Sequence, residues 1–139
     1  MPGVVLPVEP TEYVWRRVPK SFVNLSLEMS IFREAFRPRQ TDVTGLSVFR
    51  QRFFEQGPIG ILLTLAEERR RSYFITQLFV ADLISLDLTV LPEEVDELPG
   101  HAVIPELSRS ACTDNPQWCR ETQLRLAVLA SRSIVFSPT

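Results

Sequence analysis

The stretch PGHAVIP, residues 99–105, holds the only imidazole of the chain, His101. A histidine titrates near neutrality, so His101 is the side chain best suited to general-base work or substrate contact. Any serine or cysteine nucleophile would have to share it, because a hydroxyl or thiol needs an adjacent base. His101 also follows Gly100 at the start of a short apolar run, where it fits a structural role within a strand. Cys112 and Cys119 are spaced C-x6-C, eleven residues beyond His101. Structural zinc is held by four ligands at tighter spacings, so no metal site is expected from these three. No G-x-S-x-G elbow occurs, and the five glycines, at 3, 45, 57, 60 and 100, form neither a Walker A loop nor a dinucleotide fingerprint.

The remaining polar signals are segregated. Fourteen of the fifteen basic residues are arginine, Lys20 being the sole lysine. A GC-rich genome accounts for that bias, as does selection for bidentate recognition of phosphate or carboxylate. Arg69, Arg70 and Arg71 follow an apolar stripe and would oppose the negative end of a helix there. An anion site is the alternative. Glu93, Glu94, Asp96 and Glu97 form an acidic loop, either solvated or facing a basic partner. The net charge of −2, from 15 basic and 17 acidic groups, argues against a broad nucleic-acid footprint.

A chain of 139 residues fits one domain. Hydrophobic residues at 45% suffice for a core without staples. Two cysteines and an N-terminus without a basic export region suggest thiols in a reducing cytoplasm. Nothing approaches the ~18 apolar residues of a membrane helix.

These groups must be positioned by the elements between them. Residues 1–10, with three prolines, read as an extended lead-in to a single domain over 11–139. Alternation predicts strands at 13–18, 43–50, 72–80, 86–92, around 101–104, and at 133–136. The strand at 72–80 is apolar on both faces and belongs inside a sheet covered on both sides. Helices are predicted over 26–36, with Ser26 as N-cap, and over 57–71, with Pro58 in the first turn. Another is predicted over 118–132, with Leu124, Ala127 and Val128 turned inward. Residues 51–56 suggest a helical turn, 81–87 a short helix, and 108–118 a polar connector. The fold class is α+β: a mixed sheet of about five or six strands with two to three helices.

Two resemblances add to this. The runs Arg16–Val18, Gly45–Val48, Asp82–Val90 and Pro99–Ala102 resemble motifs of a set of small uncharacterised bacterial proteins, R-R-V, G-L-S-V and P-G-H-A among them. That likeness covers most of the chain and implies no activity. The order of Arg16 or Arg17, Ser47 and Glu106 is also similar to ADP-ribosyltransferase toxins of the Arg–Ser–Glu kind. It implies that Arg17 or Arg16 holds the phosphates of NAD, Ser47 supports the ribose, and Glu106 stabilises developing positive charge. The chain departs from that pattern in lacking the usual Ser-Thr neighbours and an E-x-E pair.

The leading expectation is a non-enzymatic interaction or regulatory domain that binds a larger protein. Its surface would be built from Arg50, Arg52, Phe53 and Phe54, with Glu93 and Glu94 as an acidic patch, since aromatic and arginine side chains anchor interfaces. The alternative is a small NAD-using transferase. The two differ in what they require of Arg17, Ser47, His101 and Glu106: an enzyme brings them into one cleft, an interaction module disperses them.

Overall fold

The computed structural model describes residues 6–26, 29–63, 65–93 and 100–138. The elements are β1 (Tyr13–Pro19), β2 (Val23–Asn24), β3 (Ser30–Ile31), β4 (Leu46–Arg50), α1 (Glu67–Arg70), β5 (Tyr73–Phe79) and α2 (Val80–Ser85). They continue with β6 (Leu91–Pro92), β7 (His101–Ile104), α3 (Arg109–Asp114), α4 (Pro116–Ser131) and β8 (Ile134–Phe136). Six strands form one sheet in the order β6-β7-β4-β1-β5-β8, and β2 and β3 form a separate hairpin. The domain is α+β, and every ladder in the large sheet is antiparallel.

The sheet is covered on both faces, which explains why β5 is apolar on both. Val14, Val18, Phe74 and Leu78 meet Leu126 and Ala130 of α4 and Leu83 of α2 in the main core. On the other face Trp15, Phe49 and Ile75 pack with Ile61 and Leu62 in a second, smaller cluster. Thr76 is fully buried and satisfies its hydroxyl on the Ala130 carbonyl at 2.6 Å.

Two predicted helices give way to other structure. Within 26–36 the described residues form β3 and a 3-10 turn, Arg33–Phe36. Among the described residues no helix starts after Ser26; its N–H donates to Asn24 Oδ1 at 3.1 Å, a local turn at the end of β2. Within 57–71 there is a 3-10 turn, Pro58–Ile61, and the single turn α1. Gly60 explains part of this, since glycine weakens a helix interior, and its Cα hydrogens face Phe54, where a Cβ would lie 3.0 Å from the ring. The strand expected over 86–92 shrinks to Leu91–Pro92, and the polar connector contains α3.

Helix α4 forms as its spacing predicts but turns differently. Cys119, Thr122, Gln123, Leu126, Ala127 and Ala130 are buried. Leu124 and Val128, expected inside, are 52% and 53% exposed.

The cysteines are not free thiols. Cys112 and Cys119 form a disulfide with Cα atoms 5.5 Å apart. The chain bends at Asn115, between α3 and α4, and the two cysteines stand on either side of that bend. The argument from free thiols to a reducing compartment therefore falls away. No helix among the described residues is long and apolar enough to cross a membrane.

Candidate functional site

The site follows from the register of three neighbouring strands. In the β4–β7 ladder Ser47 lies opposite Val103 and Phe49 opposite His101. Ser47 and His101 therefore share one face as diagonal neighbours, within side-chain reach. Ser47 Oγ and His101 Nε2 are 2.5 Å apart. On the other side of the ring, Nδ1 lies 2.9 Å from the Glu93 carbonyl oxygen. A carbonyl only accepts, so this contact assigns the proton to Nδ1 and leaves Nε2 bare toward the serine. The Glu93 carboxylate is also near, 3.8 Å from Nδ1.

Two glycines make this alignment possible. At Gly100 φ is +89°, and a Cβ would fall 2.7 Å from Phe53 Cβ, so the residue before His101 has to be glycine. At Gly45 a Cβ would sit 2.8 Å from the carbonyl carbon and oxygen of Ile104. That close approach lets β4 start flush against β7, two residues before Ser47.

The cavity beside this pair opens where the sheet parts. Strand β1 pairs with β5 over seven residue pairs but with β4 over only two, Val14–Arg50 and Trp15–Phe49. Beyond Trp15 the strands separate, and a cavity of about 290 Å3 lies there. Its wall includes Arg16, Arg17, Arg39, Arg69, Ser47 and His101.

Arg16 fills the break at its base. The side chain is buried, donating from Nη1 to the Ser47 carbonyl at 2.6 Å and from Nε to the Ala35 carbonyl at 2.9 Å. It thus satisfies a β4 carbonyl beside the short β1–β4 ladder. Burial pushes its pKa down to about 10, opposed by the charge of Asp42 and aided by Arg39 and Arg17. Arg17 stands over the rings of Phe49 and Tyr73, at 5.3 and 5.8 Å to their centroids. Its pKa is also lowered, chiefly by burial, with Tyr73 opposing and Arg39 and Arg69 adding repulsion. Tyr73 accepts from Arg69 Nη2 at 3.2 Å. Burial alone would raise its phenol, but this hydrogen bond and the charges of Arg69, Arg17 and Arg39 take it below the ordinary value.

Of the residues expected to act together, Arg17, Ser47 and His101 line one cavity. Glu106 does not; its carboxylate accepts from the Thr89 N–H at 2.9 Å and the Thr89 hydroxyl at 2.7 Å. Among the described residues Glu93 is the glutamate at the cavity instead. Among the described residues no group of three histidine, cysteine or acidic side chains assembles as metal ligands.

The expected partner surface is largely internal. Arg50 is fully buried and grips Glu12, so it cannot face a partner. Phe53 is half-buried against the Arg50 guanidinium, 5.0 Å from its ring centre, and Phe54 packs on Trp15 and Phe49 in the second cluster. Arg52 alone of the four is substantially exposed. Glu94 lies outside the described residues.

Arg39, Asp42, Thr44 and Tyr73 also belong to the wall and carry no sequence motif. Beyond Arg17, Ser47 and His101, the arginine run at 69–71, with its anion-site alternative, also pointed toward this site through Arg69.

Comparison with known proteins adds nothing to the geometry. No family model, no curated protein and no solved structure matches this chain.

Proposed function

We propose that this chain is a small enzyme of the group-transfer class, with Ser47 as nucleophile and His101 as its base, acting on an anionic substrate drawn to Arg17. One observation carries the reading: the Ser47–His101 pair, its tautomer assigned through the Glu93 carbonyl, faces a cavity walled by arginines. Nucleophile, base and orienting acceptor in hydrogen-bond sequence are the recurring arrangement of activated serines.

The step such a pair supports is a displacement. Ser47 Oγ bonds to the electrophilic centre while its proton passes to His101 Nε2. The bond from that centre to the leaving group then breaks, and the leaving group departs with the proton from His101. Water then gives its proton to His101 Nε2 and bonds to the same centre, the bond from that centre to Ser47 Oγ breaks, and His101 returns the proton to Oγ. Arg17 would stabilise negative charge that develops beside Oγ.

The NAD alternative draws support from Arg17 and Ser47 at one cavity. Two observations weigh against it: Glu106 is bound to Thr89 elsewhere, and the cavity of about 290 Å3 is at the small end for ligands. A smaller substrate is favoured.

A second reading, docking on a larger protein, is favoured by a different surface from the one expected. Met29, Phe32, Leu124 and Val128 line one groove and are 40%, 43%, 52% and 53% exposed. Such contiguous apolar exposure suits an interface.

Labelling with an alkyl fluorophosphonate tests the enzyme reading. The wild type should be modified at Ser47, with loss of fluoride, and His101→Asn should slow the reaction about a hundredfold or more. Modification elsewhere, or at Ser47 with equal rates in both proteins, would remove the nucleophile–base assignment.

A further inference from the structure

Among the described residues the cavity gathers more positive than negative charge. Arg16, Arg17, Arg39 and Arg69 line it against Asp42 and Glu93. Both carboxylates have partners of their own: Asp42 accepts the Arg39 backbone N–H at 2.6 Å, and Glu93 the Thr44 hydroxyl at 2.6 Å. Among the described residues Arg17, Arg39 and Arg69 take part in no ion pair. Arg16 is occupied by two backbone carbonyls. Three guanidinium groups therefore line one space without an ion pair, and the four arginines there outnumber the two carboxylates.

Arg17 is the best prepared of the three. Its guanidinium lies over two aromatic rings, Phe49 and Tyr73, which hold its plane without using its N–H donors. Gathering these cations has a cost, visible in the lowered pKa of Arg17: burial is its main cause, and Arg39 and Arg69 add to it. A bound anion would oppose both contributions with its own charge.

We infer that the cavity takes a phosphate-bearing small molecule of about phosphomonoester size, its phosphate held by Arg17, Arg39 and Arg69 next to Ser47 and His101. The inference rests on the reading of this cavity as the substrate site. A carboxylate is matched by one bidentate guanidinium. A phosphate monoester carries nearly two negative charges on three terminal oxygens, and so matches several. Arg39 and Arg69 are exposed at the mouth, where charge raises the rate of anion capture. The volume of about 290 Å3 suits a compact ligand over a dinucleotide.

Calorimetric titration at fixed ionic strength tests this, with inorganic phosphate and acetate as probes. Wild type and Ser47→Ala should bind one phosphate with similar affinity, and acetate about tenfold more weakly or less. Arg17→Gln should weaken phosphate about tenfold or more, and the exposed Arg69→Gln several-fold. Arg69→Gln keeps the test informative should Arg17→Gln fail to fold. Absence of saturable phosphate binding, equal affinity for acetate, or affinity untouched by either arginine variant would overturn the inference. Phosphate binding with an unreactive Ser47 would instead retain it and remove the enzyme reading. Reactive Ser47 without phosphate binding would do the opposite.

Discussion

Replacing Arg50 separates a folding role from a docking role. Its side chain is 0% exposed and that of Glu12 is 10% exposed. Nε donates to Glu12 Oε1 at 2.9 Å and Nη2 to Oε2 at 2.8 Å, a bidentate pair. Nη1 and Nη2 also donate to the Leu6 and Pro7 carbonyls at 2.7 and 3.1 Å, so one guanidinium ties the lead-in to β4. Arg50→Met leaves a carboxylate and two carbonyls in a poorly hydrated place. Breaking a buried pair from one side costs about 3–5 kcal/mol, a large share of a typical stability of roughly 5–15 kcal/mol. At about 3 °C per kcal/mol for a domain of this size, Tm should fall by roughly 10–15 °C. Arg52 is 46% exposed and 3.8 Å from Glu12, so Arg52→Met should cost about 0–1 kcal/mol.

The same pair fixes how the difference varies with pH. Burial alone would raise the Glu12 carboxyl, but the Arg50 hydrogen bond leads the effects that bring it below its ordinary value of 4.5. A carboxyl with a depressed pKa in the fold adds stability that is present above its unfolded value and lost as pH falls through the folded one. The gap between wild type and Arg50→Met should therefore narrow below pH 4.5. Thermal unfolding followed by circular dichroism reads both effects. Equal Tm values for Arg50→Met and Arg52→Met, or a gap constant into acid, would refute this account. The result also bears on any partner experiment: binding lost in an Arg50 variant would report unfolding, whereas loss in Arg52→Glu would report contact.

Two further outcomes follow from the geometry. Gly45→Ala should displace β4 from Ile104 at the start of the ladder, because a Cβ meets backbone atoms 2.8 Å away; fluorophosphonate labelling of Ser47 should fall while the far-ultraviolet dichroism stays near that of the wild type. Reduction of Cys112–Cys119, or the Cys112→Ala/Cys119→Ala double variant, should lower stability by about 2 kcal/mol in denaturant, the chain-entropy value for so short a loop; an unchanged midpoint would show that α3 and α4 are held without it.

The parts legible in the sequence are those decided by local pattern. Alternation located β1, β4, β5 and β7 closely, and two apolar faces placed β5 inside the sheet. Helix α4 was legible in extent but not in rotation, because polar residues earn burial only through partners distant in sequence. Gln123 accepts from Arg33, 90 residues away, and the Ser131 hydroxyl receives the Ile31 N–H. Over 57–71 the apolar residues Ile59, Leu62, Leu63 and Ala66 have the i, i+3, i+4, i+7 spacing of a helix, and this misleads for a related reason: Ile61 and Leu62, adjacent in sequence, are both fully buried against the second face of the sheet. Arg17, Ser47 and His101 could be singled out by residue type and by order along strands. Their meeting depends on the β4–β7 register and on the early end of the β1–β4 ladder, neither of which has a local signature.

That early end ties the fold to the proposed site. Extending the register of Val14–Arg50 and Trp15–Phe49 would set Arg17 directly opposite Ser47. In a continuous ladder their backbones would be hydrogen-bonded and the space between them closed. Here β1 stays with β5 as far as Pro19 while parting from β4, and the Arg16 guanidinium takes the Ser47 carbonyl instead. Buried guanidinium is a costly substitute for a backbone N–H, as the fall of its pKa to about 10 records. Structure alone gives no reason to prefer it, since a closed ladder would leave fewer charges to desolvate. An open sheet with Arg17, Ser47 and His101 around the gap is intelligible as the cost of a binding site, in keeping with the tendency of strained or destabilising features to collect where function is.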